Sequence, residues 1–548
     1  MKRLLTCFVL LFVLLLSACN AAPADKLEKT TAEEYGYPWW NDVTFYQVFV
    51  RSFYDSDGDG LGDINGLIEK LDYLNDGDPE TDTDLEVTGL WLMPMLPSPS
   101  YHGYNVTDFK AIDEDYGTME DFERLLEECH KRGMVVILDW EINHTGLSHP
   151  WFQESKDPES EYHDWYIWED DNPGWGGPWG QDVWHYDTTT GKYYYGIFWS
   201  GMPDLNYENP EVTAAMYDAV QFWLVEKGVD GLRIDAARHL IEEGSLQEST
   251  EATHEWFQDF FVWYKEEAPD AMTIGEVWTS SEEASVFVKN DELDMVFSFD
   301  LAGEMIMAAK FGSGRQFSQS IEAELLNFPD YQMGTFLTNH DQARTMTELG
   351  GDYGKAMSAA TALLTAPGVP FIYYGEEIGM AGGKPDENIR RPMQWDDSQA
   401  AGFTTATIPW NLPQTDYKEK NVALQTEDPA SLLNHYRKLV NIRNQYPALR
   451  VGDYTKIMAN DISIYAALRT TEEEKLLIIA NMSAEPVSDY HLILNSGIFN
   501  ETYTAYDLFN GEKLKAADIS NDTEEEFFFY TPYETIPPYT TYILWLQD

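Results

Sequence analysis

Short apolar runs alternate with amphipathic segments through most of the chain, and eight of the runs have the length and β-branched content of buried strands. They lie at residues 44–50, 89–93, 135–139, 232–235, 273–275, 295–299, 335–339 and 369–373. Eight strands separated by helices are what a TIM barrel requires. A doubly wound sheet shows the same alternation. The barrel is favoured because polar and charged residues gather after many of the strands, where barrel enzymes carry their sites.

The clearest helix is predicted over residues 210–227. Asn209 is a good N-cap residue, Pro210 fits the first helical position, and Gly228 follows the last turn. Such helices fill the gaps between the strands and support an α/β fold.

Two regions break this alternation. Residues 145–206 show no helical period but many Trp, Tyr, Gly and Pro, which predicts an inserted, loop-rich domain after the third strand whose tryptophans mostly form its core. After residue 446 the pattern becomes that of period-two strands, at 462–468, 476–481 and 539–546, which indicates a C-terminal antiparallel β-sandwich. The predicted domains are the barrel over 37–144 and 207–446, the insertion over 145–206, and the sandwich over 447–548.

The first residues have the pattern of a targeting segment. Lys2 and Arg3 precede an apolar run that ends at Leu16 and is followed by Cys19. This resembles a bacterial lipoprotein signal over residues 1–18, with Cys19 as the lipidated first residue and 19–36 as a tether. An ordinary secretion signal is the alternative. We expect an exported protein held at a membrane only through the lipid on Cys19.

The amino-acid composition limits the kinds of partner that this protein can bind. The 548 residues include 35 Lys and Arg against 95 Asp and Glu, a formal net charge of -60. A field this negative repels nucleic acid and anionic membranes, so we expect no nucleic-acid partner and a neutral substrate. A monomer is expected.

The segment Gly231-Leu-Arg-Ile-Asp-Ala-Ala-Arg-His239 carries the strongest chemical signal. Arg233 and Asp235 are two residues apart in a strand, so their side chains share one face, and the arginine is placed to keep the carboxylate ionised. A glycosidase nucleophile needs such a carboxylate. A purely structural ion pair is the alternative.

Further acids follow other strands. Glu276 lies in Gly275-Glu-Val-Trp278 and Asp341 in Thr338-Asn-His-Asp341. With Met202-Pro-Asp-Leu-Asn206 and Gly368-Val-Pro-Phe-Ile-Tyr-Tyr-Gly-Glu376, these segments resemble the motifs of the α-amylase family of glycoside hydrolases over nearly the whole mature chain. The resemblance makes Asp235 the nucleophile, Glu276 the general acid and base, and Asp341 the stabiliser of the transition state.

The same resemblance implies residues that bind the sugar. Tyr104 would be the stacking platform, His144 and His340 would hydrogen-bond the distorted ring, and Arg233 would support the nucleophile. Arg238 and His239 would bind the reducing side, as the Lys-His pair of amylases does. Arg390, in Arg390-Arg-Pro-Met-Gln-Trp395, completes the predicted substrate-binding set and resembles the same segment of oligo-1,6-glucosidases.

The acidic loop Asp55-Ser-Asp-Gly-Asp-Gly-Leu-Gly-Asp63 predicts a calcium site. Carboxylates at alternating positions suit a hard cation, although position twelve is Gly66 and the loop is therefore not an EF-hand. The predicted ligands are the side chains of Asp55, Asp57, Asp59 and Asp63 and the carbonyl of Leu61; an acidic turn is the alternative. The resemblance implies a second calcium at Asn143, Asp204 and the carbonyl of His239.

Substrate choice is less constrained. Exo-acting relatives typically have an Asp where this chain has Tyr101, and Met202 replaces a Gln frequent in oligo-1,6-glucosidases. The chain therefore resembles a bacterial group intermediate between α-amylases and oligo-1,6-glucosidases or neopullulanases. We expect an endo-acting, retaining α-amylase on starch and maltooligosaccharides. An oligo-1,6-glucosidase or α-glucosidase, a neopullulanase-like or transglycosylating enzyme, and a silent carbohydrate-binding protein are the alternatives.

One residue departs from the family pattern. Glu141, in Asp139-Trp-Glu-Ile-Asn-His144, stands where relatives have an apolar residue. Alternation places it on the face of Asp139 and Asn143, where a buried carboxylate would need a partner or a proton.

Overall fold

The structure is a computed structural model and describes residues 31–79, 81–511, 515–520 and 525–547. The predicted signal segment and Cys19 lie outside the described residues. The last residues of the predicted tether form a 3-10 helix, Ala32–Tyr35, in which Ala32 is buried and hydrogen-bonded to Asp42. Within the described ranges, no helix combines the length and the hydrophobicity that crossing a bilayer would require.

Eight parallel strands close into a barrel. Each strand pairs with its neighbours in chain order, and the register Phe45↔Phe371 joins the first strand to the eighth. The predicted TIM barrel is thereby confirmed. The strands are Phe45–Val48, Gly89–Leu92, Val135–Trp140, Gly231–Ile234, Met272–Gly275, Met295–Phe297, Met333–Thr335 and Val369–Tyr373.

Most strand ends differ from the predicted ones by one or two residues, and the seventh strand ends four residues earlier than predicted. The sixth strand stops at Phe297 because Ser298 caps the next helix and accepts a hydrogen bond from the Leu301 amide. The seventh strand is Met333–Thr335 and not 335–339. Its last pairing is with Pro370, which has no N–H to extend the ladder.

The helix after the inserted domain has the predicted caps. The Asn209 side chain accepts from the Glu211 amide and Gly228 adopts a left-handed conformation. The α-helix itself is Pro210–Gln221, and Phe222–Lys227 continues it as a π-helix.

The other helices pack around the barrel. The α-helices are Ile64–Glu69, Leu71–Leu74, Met119–Lys131, Pro150–Ser155, Glu251–Glu267, Ser281–Ala284, Val286–Lys289, Phe299–Phe311, Gly314–Asn327, Thr345–Glu348, Tyr353–Thr365, Asp386–Ile389, Val422–Glu427, Leu432–Gln445 and Pro447–Arg450. Further 3-10 helices are Trp39–Asp42, Val50–Ser52, His163–Trp165, Ala237–His239, Pro329–Tyr331 and Gln399–Gly402.

The insertion after the third strand contains a small antiparallel sheet. Its strands, in the order Trp168–Glu169, Lys192–Tyr195 and Trp184–Asp187, pack beside the barrel, and a bridge between His144 and Asp204 joins the two ends of the insertion. Trp165 and Trp184 are buried in its core, but Trp179 and Trp199 are exposed.

The C-terminal part holds two antiparallel sheets that enclose a separate apolar core. One sheet consists of Asp453–Lys456, Ile464–Thr470, Lys475–Asn481, Thr541–Gln547 and Thr504–Asp507. The other consists of Met458–Ala459, Leu492–Asn495 and Phe527–Tyr530. The predicted antiparallel C-terminal fold is confirmed.

Candidate active site

Three predicted catalytic acids meet at the C-terminal mouth of the barrel. Asp235 follows the fourth strand, Glu276 the fifth, and Asp341 the loop after the seventh. All three line one cavity of about 310 Å³. The ends of parallel strands share one side of the barrel, which is why residues so far apart in sequence meet here.

One guanidinium holds two of these acids. Arg233 Nη1 donates to Asp235 Oδ1 at 2.5 Å and to Asp139 Oδ1 at 2.6 Å, while Nη2 donates to Glu276 Oε2 at 2.7 Å. Arg233 is 1% exposed. Asp139 is absent from the predicted site, yet strand register places it directly beside Arg233.

Burial raises the pKa of Asp235 well above its usual value, the carboxylates of Glu276 and Asp139 act in the same direction, and Arg233 opposes them. Three carboxylates share a single cation. Arg233 favours the ionised form of Asp235, as expected, but its charge is divided among three carboxylates, so the ionisation of the nucleophile depends on all three acids.

Asp341 lies in the opposite electrostatic setting. Burial would raise the pKa of Asp341, but His340 and Arg390 outweigh it and lower the pKa below its usual range. Arg390 Nη2 donates to Asp341 Oδ1 at 2.8 Å, and Arg390 Nε donates to the His340 carbonyl at 3.1 Å. The predicted residues Arg390 and His340 thus fix Asp341 as a carboxylate.

Tyr104 forms part of the cavity floor. Its ring lies parallel to that of His340, with centroids 5.6 Å apart, and its Oη lies 2.5 Å from His340 Nε2 and 3.1 Å from Asp139 Oδ2. His144 Nε2 lies 3.0 Å from the Tyr104 carbonyl, and burial lowers the pKa of His144 to about 4. The structure therefore brings the predicted platform and both histidines together.

Arg238 and His239 lie on the other side of Glu276. They line a second cavity of about 330 Å³, which shares Phe198, Ala236 and Glu276 with the first. Arg238 Nη1 donates to the Trp278 carbonyl at 2.8 Å. The two cavities form one cleft with Glu276 between them.

Several cleft residues are missing from the predicted set. Tyr101 lines the first cavity and stacks on Trp410 with ring centroids 5.5 Å apart. Trp179 and Trp278 line the second. The position of Trp278, two residues after Glu276, is a signal in the sequence that could have identified it as a cleft residue.

The acidic loop is compact. Carboxylate oxygens of Asp55, Asp57 and Asp63 lie within 4.8 Å of one another, a spacing that suits a shared cation. The Asp59 carboxylate lies outside this group, although Asp59 Oδ1 accepts from the Leu61 amide and both residues belong to the same turn. The loop therefore offers three of the four predicted side-chain ligands as a cluster.

The residues of the predicted second calcium site are also neighbours. Asn143 Nδ2 donates to the His239 carbonyl at 2.6 Å, and Asp204 Oδ2 is buried with no hydrogen-bond partner among the residues that the structure describes. Glu242, absent from the predicted set, adjoins Asp204; burial and this neighbour raise the pKa of Asp204, and burial raises that of Glu242 to about 8. Two acids forced together in this way suit a cation between them.

Glu141 is fully buried, and neither carboxylate oxygen has a hydrogen-bond partner among the described residues. Burial, Asp139 and Asp235 raise its pKa well above the usual value. Because no described residue pairs with the carboxyl, burial favours its neutral form.

Comparisons with known proteins agree with this geometry. The family described as alpha amylase, catalytic domain, matches residues 47–452. The chain is 40% identical over 509 residues to Alpha-amylase 3 of Dictyoglomus thermophilum, covering 92% of this chain and 94% of the relative. It is 34% identical to an oligo-1,6-glucosidase of Parageobacillus thermoglucosidasius, covering 81% of this chain and 90% of the relative. Among solved structures, the alpha-amylase from H. orenii is similar, with a TM-score of 0.80 and 40% identity over 92% of this chain and 99% of that one.

Proposed function

The chain belongs to the α-amylase family of glycoside hydrolases, and on this premise we propose that it is an α-amylase that hydrolyses internal α-1,4-glucosidic bonds of starch and maltooligosaccharides. The observation that carries the proposal is the shared guanidinium of Arg233, which holds Asp235 and Glu276 side by side where the cleft continues to both sides of Glu276.

In the proposed first step, Glu276 gives its proton to the glycosidic oxygen while Asp235 attacks the anomeric carbon. The bond to the leaving glucan breaks and an ester to Asp235 forms. In the second step, Glu276 takes a proton from water, the water oxygen bonds to the anomeric carbon, and the ester bond breaks. Two inversions leave the anomeric configuration unchanged.

Asp341, kept ionised by His340 and Arg390, would stabilise the positive charge that develops on the sugar. Tyr104 would supply the aromatic face under the ring, and His144 would hold the Tyr104 backbone in place.

The first test replaces the nucleophile. Asp235→Asn keeps the shape and removes the attacking charge, so we expect starch hydrolysis to fall by at least about a thousand-fold with the fold intact by circular dichroism. Wild-type rates in this variant would disprove the assignment. A silent carbohydrate-binding protein would instead bind maltoheptaose without turnover in the wild type.

A second candidate is an oligo-1,6-glucosidase, favoured by the resemblance of the Arg390 segment and by a 34% identical relative of that name. Tyr101 supports the amylase instead, because it stacks on Trp410 at the position where exo-acting relatives typically have an Asp. The product profile from maltoheptaose, pullulan, panose and maltose decides between the α-amylase and the oligo-1,6-glucosidase. Internal cleavage with α-configured products supports the amylase; glucose alone, from the non-reducing end, supports the glucosidase. Products longer than the substrate would indicate transglycosylation.

We also propose that Ca²⁺ binds the Asp55 to Asp63 loop, where the three clustered carboxylates fit a hard cation. The second proposed site would use Asn143, Asp204 and the His239 carbonyl, with Glu242 as an added ligand. The cations would stabilise the loop and the junction of the inserted domain with the barrel.

Finally, we propose that the protein is exported and anchored outside the cytoplasm through a lipid on Cys19. The basis is the signal-like sequence before this residue. Mass spectrometry of the N-terminal peptide tests it. A diacylglyceryl mass on Cys19 is expected, together with release of Cys19→Ser from the membrane fraction; an unmodified cysteine would overturn the proposal.

A further inference from the structure

A third cavity lies where the inserted domain meets the barrel, apart from the catalytic acids. Its volume is about 290 Å³. Among the described residues, none that lines it also lines either of the two cavities at Glu276. One part of its wall comes from residues 167–206 of the inserted domain, and the other from residues 207–208 and 240–244 of the barrel. A ligand in this cavity therefore contacts both parts of the fold without entering the catalytic cleft.

Three aromatic rings form one corner of this cavity. Trp175, Trp184 and Tyr195 all line it, their ring centroids lie 5.4, 5.7 and 5.3 Å apart, and their planes meet at 80°, 51° and 60°. Trp184 and Tyr195 are buried, so packing fixes two of the three rings before any ligand binds. Rings at such steep angles do not form the single flat platform on which a sugar ring stacks. They form a corner that suits a compact, rounded group.

The charged residues in the wall of this cavity are all acidic. Glu169 and Glu208 are exposed, and Glu242 is partly buried. No lysine, arginine or histidine is among the described residues that line the cavity. The formal net charge of -60 adds to the negative potential around it. The cavity therefore attracts a cation and repels an anion.

Rings and carboxylates together favour one chemical class of cation. A hard metal ion takes several oxygen ligands, which an aromatic corner does not supply. A neutral sugar needs hydrogen-bond donors as well as acceptors, whereas an ionised carboxylate only accepts. A quaternary ammonium group fits both features of the wall, because its methyl groups pack on apolar surface while its charge is attracted to ring faces and to carboxylates.

We propose that this cavity binds a small organic cation with a quaternary ammonium group. The occupant is a free small molecule and not a lipid headgroup, because Glu169 and Glu208 repel the phosphate that a headgroup carries. Since the wall belongs to the inserted domain and to the barrel, the occupant also stabilises the junction between them.

The experiment uses choline as the probe and 3,3-dimethyl-1-butanol as its neutral analogue of nearly the same shape. Isothermal titration of the whole chain is done in excess Ca²⁺, so that a metal ion near Asp204 and Glu242 does not account for the signal. We expect one choline per chain, bound at least about ten-fold more tightly than the neutral analogue. Glycerophosphocholine should bind about ten-fold more weakly than choline. Choline at about ten times its Kd should raise the midpoint of thermal unfolding, and the neutral analogue at the same concentration should not.

Variants of the aromatic corner place the probe in this cavity. Trp175→Ala removes one ring and should weaken choline binding about ten-fold, whereas Trp175→Phe keeps an aromatic face and should weaken it less than about three-fold. Trp175→Leu keeps apolar bulk without an aromatic face and replaces the alanine variant if that unfolds. Tyr186 is an exposed aromatic of the inserted domain outside this cavity, and Tyr186→Ala should leave the affinity unchanged.

A matched set of acidic residues tests the charge. Glu169→Gln combined with Glu208→Gln should weaken choline binding about three- to ten-fold. Glu159 is exposed in the inserted domain and does not line the cavity, so Glu159→Gln should have no effect. All of these variants should hydrolyse maltoheptaose within about three-fold of the wild-type rate, because none of the changes lies in the catalytic cleft.

Four results would overturn the proposal. They are no saturable binding of choline, equal affinity for choline and its neutral analogue, tighter binding of glycerophosphocholine than of choline, and unchanged choline affinity in the alanine or leucine variant of Trp175. Competition between choline and maltoheptaose would likewise overturn it, because the probe would then lie in the catalytic cleft.

Discussion

The carboxylates of Asp235 and Glu276 bind the same guanidinium, at 2.5 and 2.7 Å from Arg233. This arrangement fixes the two working acids of the proposed reaction relative to each other through one shared cation.

Arg233→Lys is expected to remove most of the activity. An ammonium cannot reach Asp235, Asp139 and Glu276 with a planar fork, and one acid would be left buried without its cation. We expect kcat/KM on maltoheptaose to fall by about a thousand-fold, a loss near 4 kcal/mol. Arg238→Lys, a cation of the same segment that contacts the Trp278 carbonyl, should cost ten-fold or less.

The residual activity of Arg233→Lys should also titrate differently. Burial and the neighbouring acids raise the pKa of Asp235, and Arg233 opposes them. A weaker cation contact raises that pKa further, so a smaller fraction of the nucleophile is ionised at a given pH. The acid limb of the kcat/KM profile should therefore move to higher pH. A limb that stays in place or moves lower would contradict the shared-cation description.

Part of this site could be predicted from the chain alone. Asp235, Glu276 and Asp341 follow strands, and parallel strands of a barrel end on one side, so their convergence needs only the correct strand assignment. Asp139 beside Arg233 is different: it depends on the register between the third and fourth strands, which the alternation of apolar residues does not fix.

Contacts made by long loops could not be predicted from the sequence. Tyr101 stacks on Trp410, and Glu242 adjoins Asp204, because long connections fold back over the barrel mouth. The local periodicity of apolar residues contains no information on where a long loop folds back. Residue propensities likewise cannot distinguish the exposed Trp179 from the buried Trp184. Only the packed structure separates them.

Replacing Glu141 with leucine should stabilise the protein. Its carboxyl is buried with neither oxygen paired, and an apolar side chain of similar size removes that desolvation penalty, by about 1–3 kcal/mol at neutral pH. The folded-state pKa lies above the ordinary value of 4.5, so the wild type loses stability as pH rises from that value through the folded pKa. The gain in the midpoint of thermal unfolding should therefore be larger at pH 8 than at pH 5. A loss of stability at pH 8 would show that Glu141 has a partner.

Two aspartates of the acidic loop, Asp57 and Asp59, allow a test of metal binding. Asp57 belongs to the carboxylate cluster with Asp55 and Asp63, whereas Asp59 lies in the same turn outside it. Asp57→Asn should weaken Ca²⁺ binding in isothermal titration at least ten-fold, a loss of about 1.4 kcal/mol or more, and Asp59→Asn should have a smaller effect. Equal losses of Ca²⁺ affinity in the two variants would show that Asp59 is also a ligand.

Removing Ca²⁺ with a chelator should affect parts of the protein beyond the acidic loop. The Trp410 amide donates to the Gly60 carbonyl at 2.9 Å, and the Thr404 hydroxyl donates to Asp55, so the loop supports the segment on which Tyr101 stacks. Adding a chelator should lower the unfolding temperature and raise KM for maltoheptaose. The Trp410→Phe variant should lose the part of the intrinsic fluorescence change that follows chelation. An identical change in wild type and variant would exclude this route.

Calcium stoichiometry tests the role of Glu242. Its carboxylate and that of Asp204 are neighbours at the junction between the inserted domain and the barrel, and Asp204 Oδ2 has no hydrogen-bond partner in the described part of the chain. Burial and the repulsion from Glu242 raise the pKa of Asp204, and a cation between the two acids would offset both effects, so binding should release protons, and more of them at pH 6 than at pH 9. We expect equilibrium dialysis to give two Ca²⁺ per chain for the wild type and one for Glu242→Gln or Asp57→Asn. Glu208→Gln, a change at an exposed neighbour of Glu242, should keep both. Two bound ions in Glu242→Gln would mean that Asp204 and Glu242 share a proton and not a metal.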